Sequence, residues 1–558
     1  MTFIRPARAE GRPSAKKPKV YQAYSFPAPT LGWLSNNNLA MSMPGGAYVL
    51  ENWFPTPTGA IMRRGKQKYA TLGAGNLPVR SLFAYIEGNN RKLFGSTDAN
   101  IFDITSVNQP NNAIIATEDD DMLETEDDDT IGWGSTDGLD VWPNTEGRWI
   151  VVQFETAGGT YLRGVNGADT PFVFDGTDFS TTPAITFPTP VTLTPDVLSY
   201  VWVYKNRLFF LEKGTTNVWY LPVGQLAGEL KKLPMGGELP RGGTLVYGAS
   251  WSQDVGDGLN EMWIVASSEG EVAVYQGDNP DSAESWGKVG VYRVGKPLGD
   301  RAHVQIGGDL AMATDAALVP LTQALRRDYS ELAASSFSSP IEAAWPEQVQ
   351  SRPGERWEAV LWTDKQMLVA ALPRFENVPD GMLVMNSRTG KWGYFTNWQA
   401  NCLAVFDGRL FFGSDDGAVY EANVTGTDDG VPYTAAYVPM FDQMEAPGHK
   451  TMTMARAVLK TAHDIVERIA NQTDFTVRLP AAPGASRPAF GSFWGSMIWG
   501  QDRWGGAPEK RIVQKWRSQF GTGEVHAPAV MITSGSVTPL DVELIRVDVA
   551  FTVADPIT

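Results

Sequence analysis

Four histidines, 63 carboxylates and one cysteine are the side chains of this 558-residue sequence that could do acid–base, metal or nucleophilic chemistry. His303, His449, His463 and His526 are scattered; none belongs to a His-Glu-x-x-His pattern and none stands beside a nucleophile motif. There is no Gly-x-Ser-x-Gly elbow and no Gly-x-x-x-x-Gly-Lys-Ser/Thr phosphate loop, which disfavours an ATP-driven motor. Two carboxylates could cleave a glycosidic bond, but with so many Asp and Glu residues a suitable pair can always be imagined and carries no signal. The tightest cluster, Asp254-Val255-Gly256-Asp257-Gly258-Leu259-Asn260-Glu261, could bind a cation, yet Asp and Gly are also what a turn between strands requires. Cys402 stands alone, so neither an intrachain disulfide nor a cysteine-rich zinc site is available. No catalytic residue, metal site or cofactor is therefore expected.

A second kind of candidate works through charge and shape. Residues 118–129 are almost wholly acidic, with Asp119-Asp120-Asp121 echoed by Asp127-Asp128-Asp129. Such a run reads as a solvated loop. The calcium-loop pattern with its central Gly and terminal Glu is absent, and a lining that repels DNA is the remaining reading. Residues 491–506 hold Trp494, Trp499 and Trp504 on a Gly-punctuated backbone, which suits an interface or a local mini-core. Trp53 and Phe54 lie between Asn52 and Pro55-Thr56-Pro57, where proline excludes helix and presents them from extended or turn backbone, as in a docking element.

These candidates must be positioned by β-structure. Hydrophobic strand, Gly/Asp/Asn turn and aromatic-ended strand recur from residue 80 to 422: Lys92 to Asp103, Arg207 to Tyr220, Met262 to Tyr275, and Arg409 to Tyr420, the last nearly repeating the first. One hairpin cannot bury its own face, so several must stack or ring together. The expectation is an all-β chain with few helices: an irregular β-propeller-like repeat domain over 80–425, carrying the acidic insertion at 118–129, and a separate C-terminal β-sandwich or barrel-like domain over 426–558. Fifty-six Gly and 37 Pro suit many short strands and turns. The span 324–350 is the best place for helical turns, with Ala333-Ala334 and Ala343-Ala344 but also Pro340 and Pro346 to stop them. Ahead of the repeats come a basic, Pro-rich arm at 1–30, either loose or packed on a neighbour, and an extended docking segment at 31–79.

The formal net charge of −17 argues against a main task of gripping phosphates, although DNA could slide past without sticking. There is no apolar run near the roughly 20 residues of a membrane helix and no signal-peptide core at the N-terminus, so synthesis in a cytoplasm is expected.

Three stretches together resemble the tail hub, or nozzle, proteins of short-tailed bacteriophages, a group similar to the packaged-DNA stabilisation proteins. They are Asn52-Trp53-Phe54-Pro55-Thr56-Pro57-Thr58-Gly59-Ala60 with Arg63-Arg64-Gly65; Tyr204-Lys205-Asn206-Arg207-Leu208-Phe209-Phe210 with Trp219-Tyr220-Leu221-Pro222; and the run from Trp251 to Leu325, including Gly290-Val291-Tyr292-Arg293-Val294-Gly295-Lys296-Pro297-Leu298-Gly299. The resemblance implies a virion component in which six copies ring the tail axis below the portal and adaptor, retain packaged DNA and form the channel for its ejection. In such a channel, carboxylates within a Debye length of about 10 Å of the phosphates would keep DNA from adsorbing, a role open to Asp119 to Asp121 and Asp127 to Asp129. Trp53, Phe54, Trp494, Trp499 and Trp504 would then meet a neighbouring subunit or the host envelope. The alternatives are a carbohydrate-binding or carbohydrate-active propeller and a tail-tip adhesin.

Overall fold

The computed structural model describes residues 21–35, 43–106, 138–254, 259–486 and 510–553. The chain is nearly all β. Among the described residues, five four-stranded sheets, one three-stranded sheet and the first four strands of a nine-stranded sheet are arranged along the chain as the blades of a propeller. The first four blades begin at Ser81, Ile150, Leu198 and Leu245; the three-stranded sheet runs from His303 to Pro320; the fifth and sixth blades begin at Glu358 and Cys402. Their first strands (Ser81–Glu87, Ile150–Thr156, Leu198–Tyr204, Leu245–Asp254, His303–Ile306, Glu358–Trp362 and Cys402–Phe406) lie side by side in that order, and the last touches the first. These strands form the inner wall of the ring.

The recurrent hairpins of the sequence are second and third strands of blades. Arg207–Glu212 and Asn217–Tyr220 occupy these places in the third blade, Arg409–Gly413 and Ala418–Thr425 in the sixth. Each such strand is covered on both faces by neighbouring blades, which explains why Leu208-Phe209-Phe210-Leu211 is uniformly apolar and fully buried instead of alternating. The turn from Gly413 to Ala418 is held by Asp416, which accepts from the Ala418 N–H at 3.1 Å and from the Tyr420 hydroxyl at 3.0 Å.

An early segment shuts the ring. Gly65–Thr71 pairs as the fourth strand of the sixth blade, with Ala70 opposite Val419 and Lys68 opposite Tyr420. Lys66 places its ammonium 4.2 Å from the Tyr420 ring centre, and burial pulls its pKa down.

A β-sandwich packs against this ring, built from both ends of the chain. One layer contains Gln22–Pro27, Trp53–Thr56, Gly59–Met62, Lys450–Thr461 and Glu543–Val553; the other contains Gly46–Glu51, Tyr433–Pro439, Glu467–Thr473 and His526–Ser534. Phe26, Leu50, Trp53, Met452, Val530, Val549 and Phe551 fill the space between them. The second layer continues into the fifth blade through the pairing of Glu51 with Tyr394. Propeller and sandwich therefore share one sheet, and the boundary drawn at residue 426 misses the strands that residues 22–62 contribute.

This placement corrects the reading of residues 31–79 as a docking segment. Trp53 is in a strand as extended backbone, but it is 0% exposed in the sandwich core and cannot meet a neighbour. Phe54, on the other face, is half-buried against the core of the fifth and sixth blades. The strand lies between two hydrophobic layers, so alternation sends one ring into each. Single 3-10 turns occur outside the expected span, at Pro195–Val197 and Thr363–Lys365, while the two α-helices fall within or just ahead of it, the longer being Ala344–Gln350. Pro346 sits in its first turn, where a missing N–H costs no hydrogen bond. Among the described residues no helix is long and apolar enough to cross a membrane.

Trp53→Ala is expected to lower the free energy of unfolding by about 3–5 kcal/mol in a denaturant titration. A loss under about 1 kcal/mol would restore the docking reading.

Candidate functional site

The inner wall of the propeller is largely apolar, and near the start of the inner strands a group of polar side chains meets across it. Arg301, just ahead of the three-stranded sheet, directs its guanidinium across the ring. Its Nη1 donates to Glu358 Oε2 at 2.9 Å, and its Nη2 donates to Ser81 Oγ at 2.5 Å and to the Trp149 carbonyl. Glu358 Oε1 in turn accepts from the Leu403 N–H at 3.0 Å, and Ser81 Oγ accepts from the Trp149 N–H at 2.8 Å. Five of the seven sheets are thus tied through two nearly buried charges. Beside this knot His303 stacks on Tyr247, their ring centres 4.4 Å apart, with the Tyr200 hydroxyl 3.4 Å from Nε2.

Above the knot, the loops that lead into the inner strands surround a cavity of about 530 Å³ lined by Arg80, Glu146, Arg148, Lys213, Asp300 and Arg356, among others. Arg148 grips Asp300 in a fork, from Nε at 3.1 Å to both oxygens and from Nη2 at 2.5 Å to Oδ1, while Arg356 approaches Oδ2 at 3.5 Å. Burial alone would raise the Asp300 carboxyl; Arg148, with Arg301 and Arg356 behind it, overcomes burial and holds it well below the usual carboxylate range. Arg80 is paired with Asp98 at 2.9 Å, and Lys213 donates to the Gly167 carbonyl at 2.9 Å.

Cys402 and His303, at the propeller axis, are held away from chemistry near neutral pH. Burial pushes the Cys402 thiol up to about 12, with Glu358 adding to it, so no thiolate is available there. Burial also pulls His303 down to about 4 against the opposing pull of Asp300, leaving a neutral imidazole at pH 7. The other histidines remain dispersed: His526 is buried against Asn471 and the Gly523 carbonyl, His463 is buried, and His449 is exposed 3.7 Å from Glu524. Among the described residues no three His, Cys, Asp or Glu side chains converge as metal ligands.

Of the residues singled out in the sequence, Asp119, Asp120, Asp121, Asp127, Asp128, Asp129, Trp494, Trp499 and Trp504 lie outside the described residues. The acidic stretch separates the third strand of the first blade, Asn100–Asp103, from its outermost strand, Leu139–Pro143, so both of its anchors belong to the blade's outer side. The strands on either side of residues 255–258 pair as far as Asp254 with Leu259, and residues 255–258 themselves lie outside the described residues. Sequence reasoning missed Arg148, Asp300, Arg301 and Glu358. The available signal was adjacent charge, Asp300-Arg301, directly after the Gly-rich run ending at Gly299, and a lone Glu opening an apolar strand.

No protein-family model and no curated protein matches the chain. Among solved structures, it is similar to BBS1N from a complex with ARL6DN at 10% identity and a TM-score of 0.36, covering 65% of this chain and 97% of that one. It is also similar to the computationally designed Ika8 protein (12% identity, TM-score 0.32, covering 64% and 100%) and to YCF48 from Cyanidioschyzon merolae (10%, 0.27, 64% and 99%).

The Arg148–Asp300 fork sets a pH dependence. Because the folded pKa of Asp300 is depressed, its stabilisation is present above the unfolded value of about 4 and is lost as pH falls toward the folded value. Asp300→Asn should be less stable than wild type at pH 7, yet lose about 1–2 kcal/mol less between roughly pH 5 and pH 3 in parallel denaturant titrations. Equal acid losses in the two proteins would show that the fork contributes nothing.

Proposed function

We propose that this chain is a structural subunit of a short-tailed phage virion: the tail hub or nozzle that rings the tail axis as a homo-oligomer, six copies by family resemblance, below the portal and adaptor. In that place it retains packaged DNA and bounds the passage by which DNA leaves. It would be made in the host cytoplasm and act in the particle.

The observation that carries the reading is the place of one of the three stretches on which the resemblance rests. Asn52 to Gly65 supplies residues that join propeller to sandwich, so the likeness of pattern there concerns the body plan and no reaction centre. A second support is the filled propeller axis. With Arg301, Glu358 and the stacked His303 and Tyr247 occupying it, DNA has to pass between copies and not through one ring of blades. A net charge of −17 suits a wall along which phosphates slide.

Electron microscopy of the purified full chain, alone and with its particle, tests this. The expected result is a closed ring with an opening bounded by several copies, each showing a filled propeller axis. A chain that stays monomeric at high concentration while cleaving a sugar would replace this reading with that of a carbohydrate-active propeller, which the cavity framed by Glu146, Arg148 and Arg356 would then serve.

A further inference from the structure

The sandwich has one edge unlike the rest of the surface. Arg511–Gln514, Arg517–Ser518 and Thr522–Gly523 run along one side of the strand Lys450–Thr461, and on their other side no strand pairs with them among the described residues. Residues 510–520 contain Lys510, Arg511, Lys515 and Arg517 and no carboxylate, in a chain whose net charge is −17. Within the same stretch Ile512 is 59% exposed, Trp516 40% and Phe520 86%, with Met454 also exposed beside them. Arg456 lies 4.7 Å from the centre of the Trp516 ring, fixing it against the sheet.

An exposed edge strand is commonly protected from association by lysine and arginine. Protection of that kind keeps the large apolar residues turned inward. Here they point outward at every fourth position, so the cations are placed to select a partner and not to repel all of them. Arg511 and Arg517 are already paired, with Asp464 at 2.7 Å and Glu467 at 2.9 Å, whereas Lys510 and Lys515 have no ion-pair partner among the described residues.

We infer that the edge formed by residues 510–520 docks a second copy of this chain, receiving a carboxylate-bearing strand or loop from it. The complement of a basic, aromatic edge is an acidic surface with apolar gaps, and the rest of this chain supplies the acidity. The contact is heterologous, since an edge that keeps two unpaired lysines does not complement its own like, and head-to-tail contacts of this kind close into rings when the rotation permits. This inference rests on the reading of the chain as a ring subunit and names the surface that builds the ring.

The test uses the full chain carrying a photo-crosslinking benzoylphenylalanine in place of Phe520, made in light and nitrogen-15 forms and mixed before assembly. Mass spectrometry should find light–heavy cross-links from position 520 into a carboxylate-bearing segment, and Lys515→Glu should weaken assembly by about tenfold or more without changing the unfolding midpoint of the monomer. A ring that forms while position 520 cross-links only within its own chain, or to added duplex DNA, overturns this interface and leaves the ring reading intact. A chain that stays monomeric overturns both.

Discussion

The Arg63 guanidinium is the interaction on which the arrangement of the two halves depends. It is 3% exposed, and all five of its N–H groups are used: Nε on Asn52 Oδ1 at 2.7 Å, Nη1 on Asp428 Oδ1 at 2.8 Å and the Arg64 carbonyl at 3.1 Å, Nη2 on Asp428 Oδ2 at 2.7 Å and the Thr396 carbonyl at 3.1 Å. The Tyr433 and Trp398 rings cover it at 4.1 and 4.7 Å. A buried cation is tolerated only when its geometry is this complete, because desolvation costs several kcal/mol and every missing bond adds to it. The partners come from the N-terminal segment, the end of the fifth blade, the linker after the sixth blade and the first strand beyond it. Losing this one side chain would therefore loosen four segments at once.

The residues around Arg63 follow from that constraint. Asn52 takes a positive φ of 60° and spends its amide on Thr396 Oγ1 and the Thr434 carbonyl, both at 2.7 Å, so a single small polar residue turns the chain and bridges blade to sandwich. Gly65 has no alternative, since a Cβ there would stand 1.8 Å from the Thr427 carbonyl oxygen. Gly393 likewise lets the fifth blade approach within 2.6 Å, measured from an added Cβ to the Trp53 carbonyl oxygen. Arg301 repeats the logic at the propeller axis with Glu358. Arg163 is the contrary case: it is buried with only the Pro183 carbonyl in reach among the described residues, at 3.4 Å, burial pulls its pKa down to about 10, and nothing in the structure explains why an arginine stands there.

The propeller was legible because strands buried on both faces leave continuous apolar and aromatic runs, and the turns between them need Gly, Asp or Asn. Leu208 to Leu211 and Leu410 to Phe412 advertise second strands for that reason. The inner strand His303–Ile306 is short and half polar, and the three-stranded sheet it opens left no repeat to detect. The sandwich was legible as alternation in Glu543–Val553, but its partners from residues 22–62 were hidden, because pairing across more than 480 positions leaves no local trace. Trp53 was misread for a related reason: flanking prolines establish extended backbone, and only tertiary contact decides which side of that strand is covered. The axial site left only a faint trace, the adjacent charges Asp300-Arg301 and the lone Glu358 at the head of an apolar strand, since Arg148, Arg301 and Glu358 come from different blades and share no spacing.

Above all, Arg63 makes propeller and sandwich one mechanical body. Differential scanning calorimetry of wild type and Arg63→Met measures this directly. Wild type should unfold in one cooperative transition, and the variant should split it into two, with the sandwich melting first. An Arg63→Met protein that still melts in one transition within about 1 °C of wild type would contradict the claim.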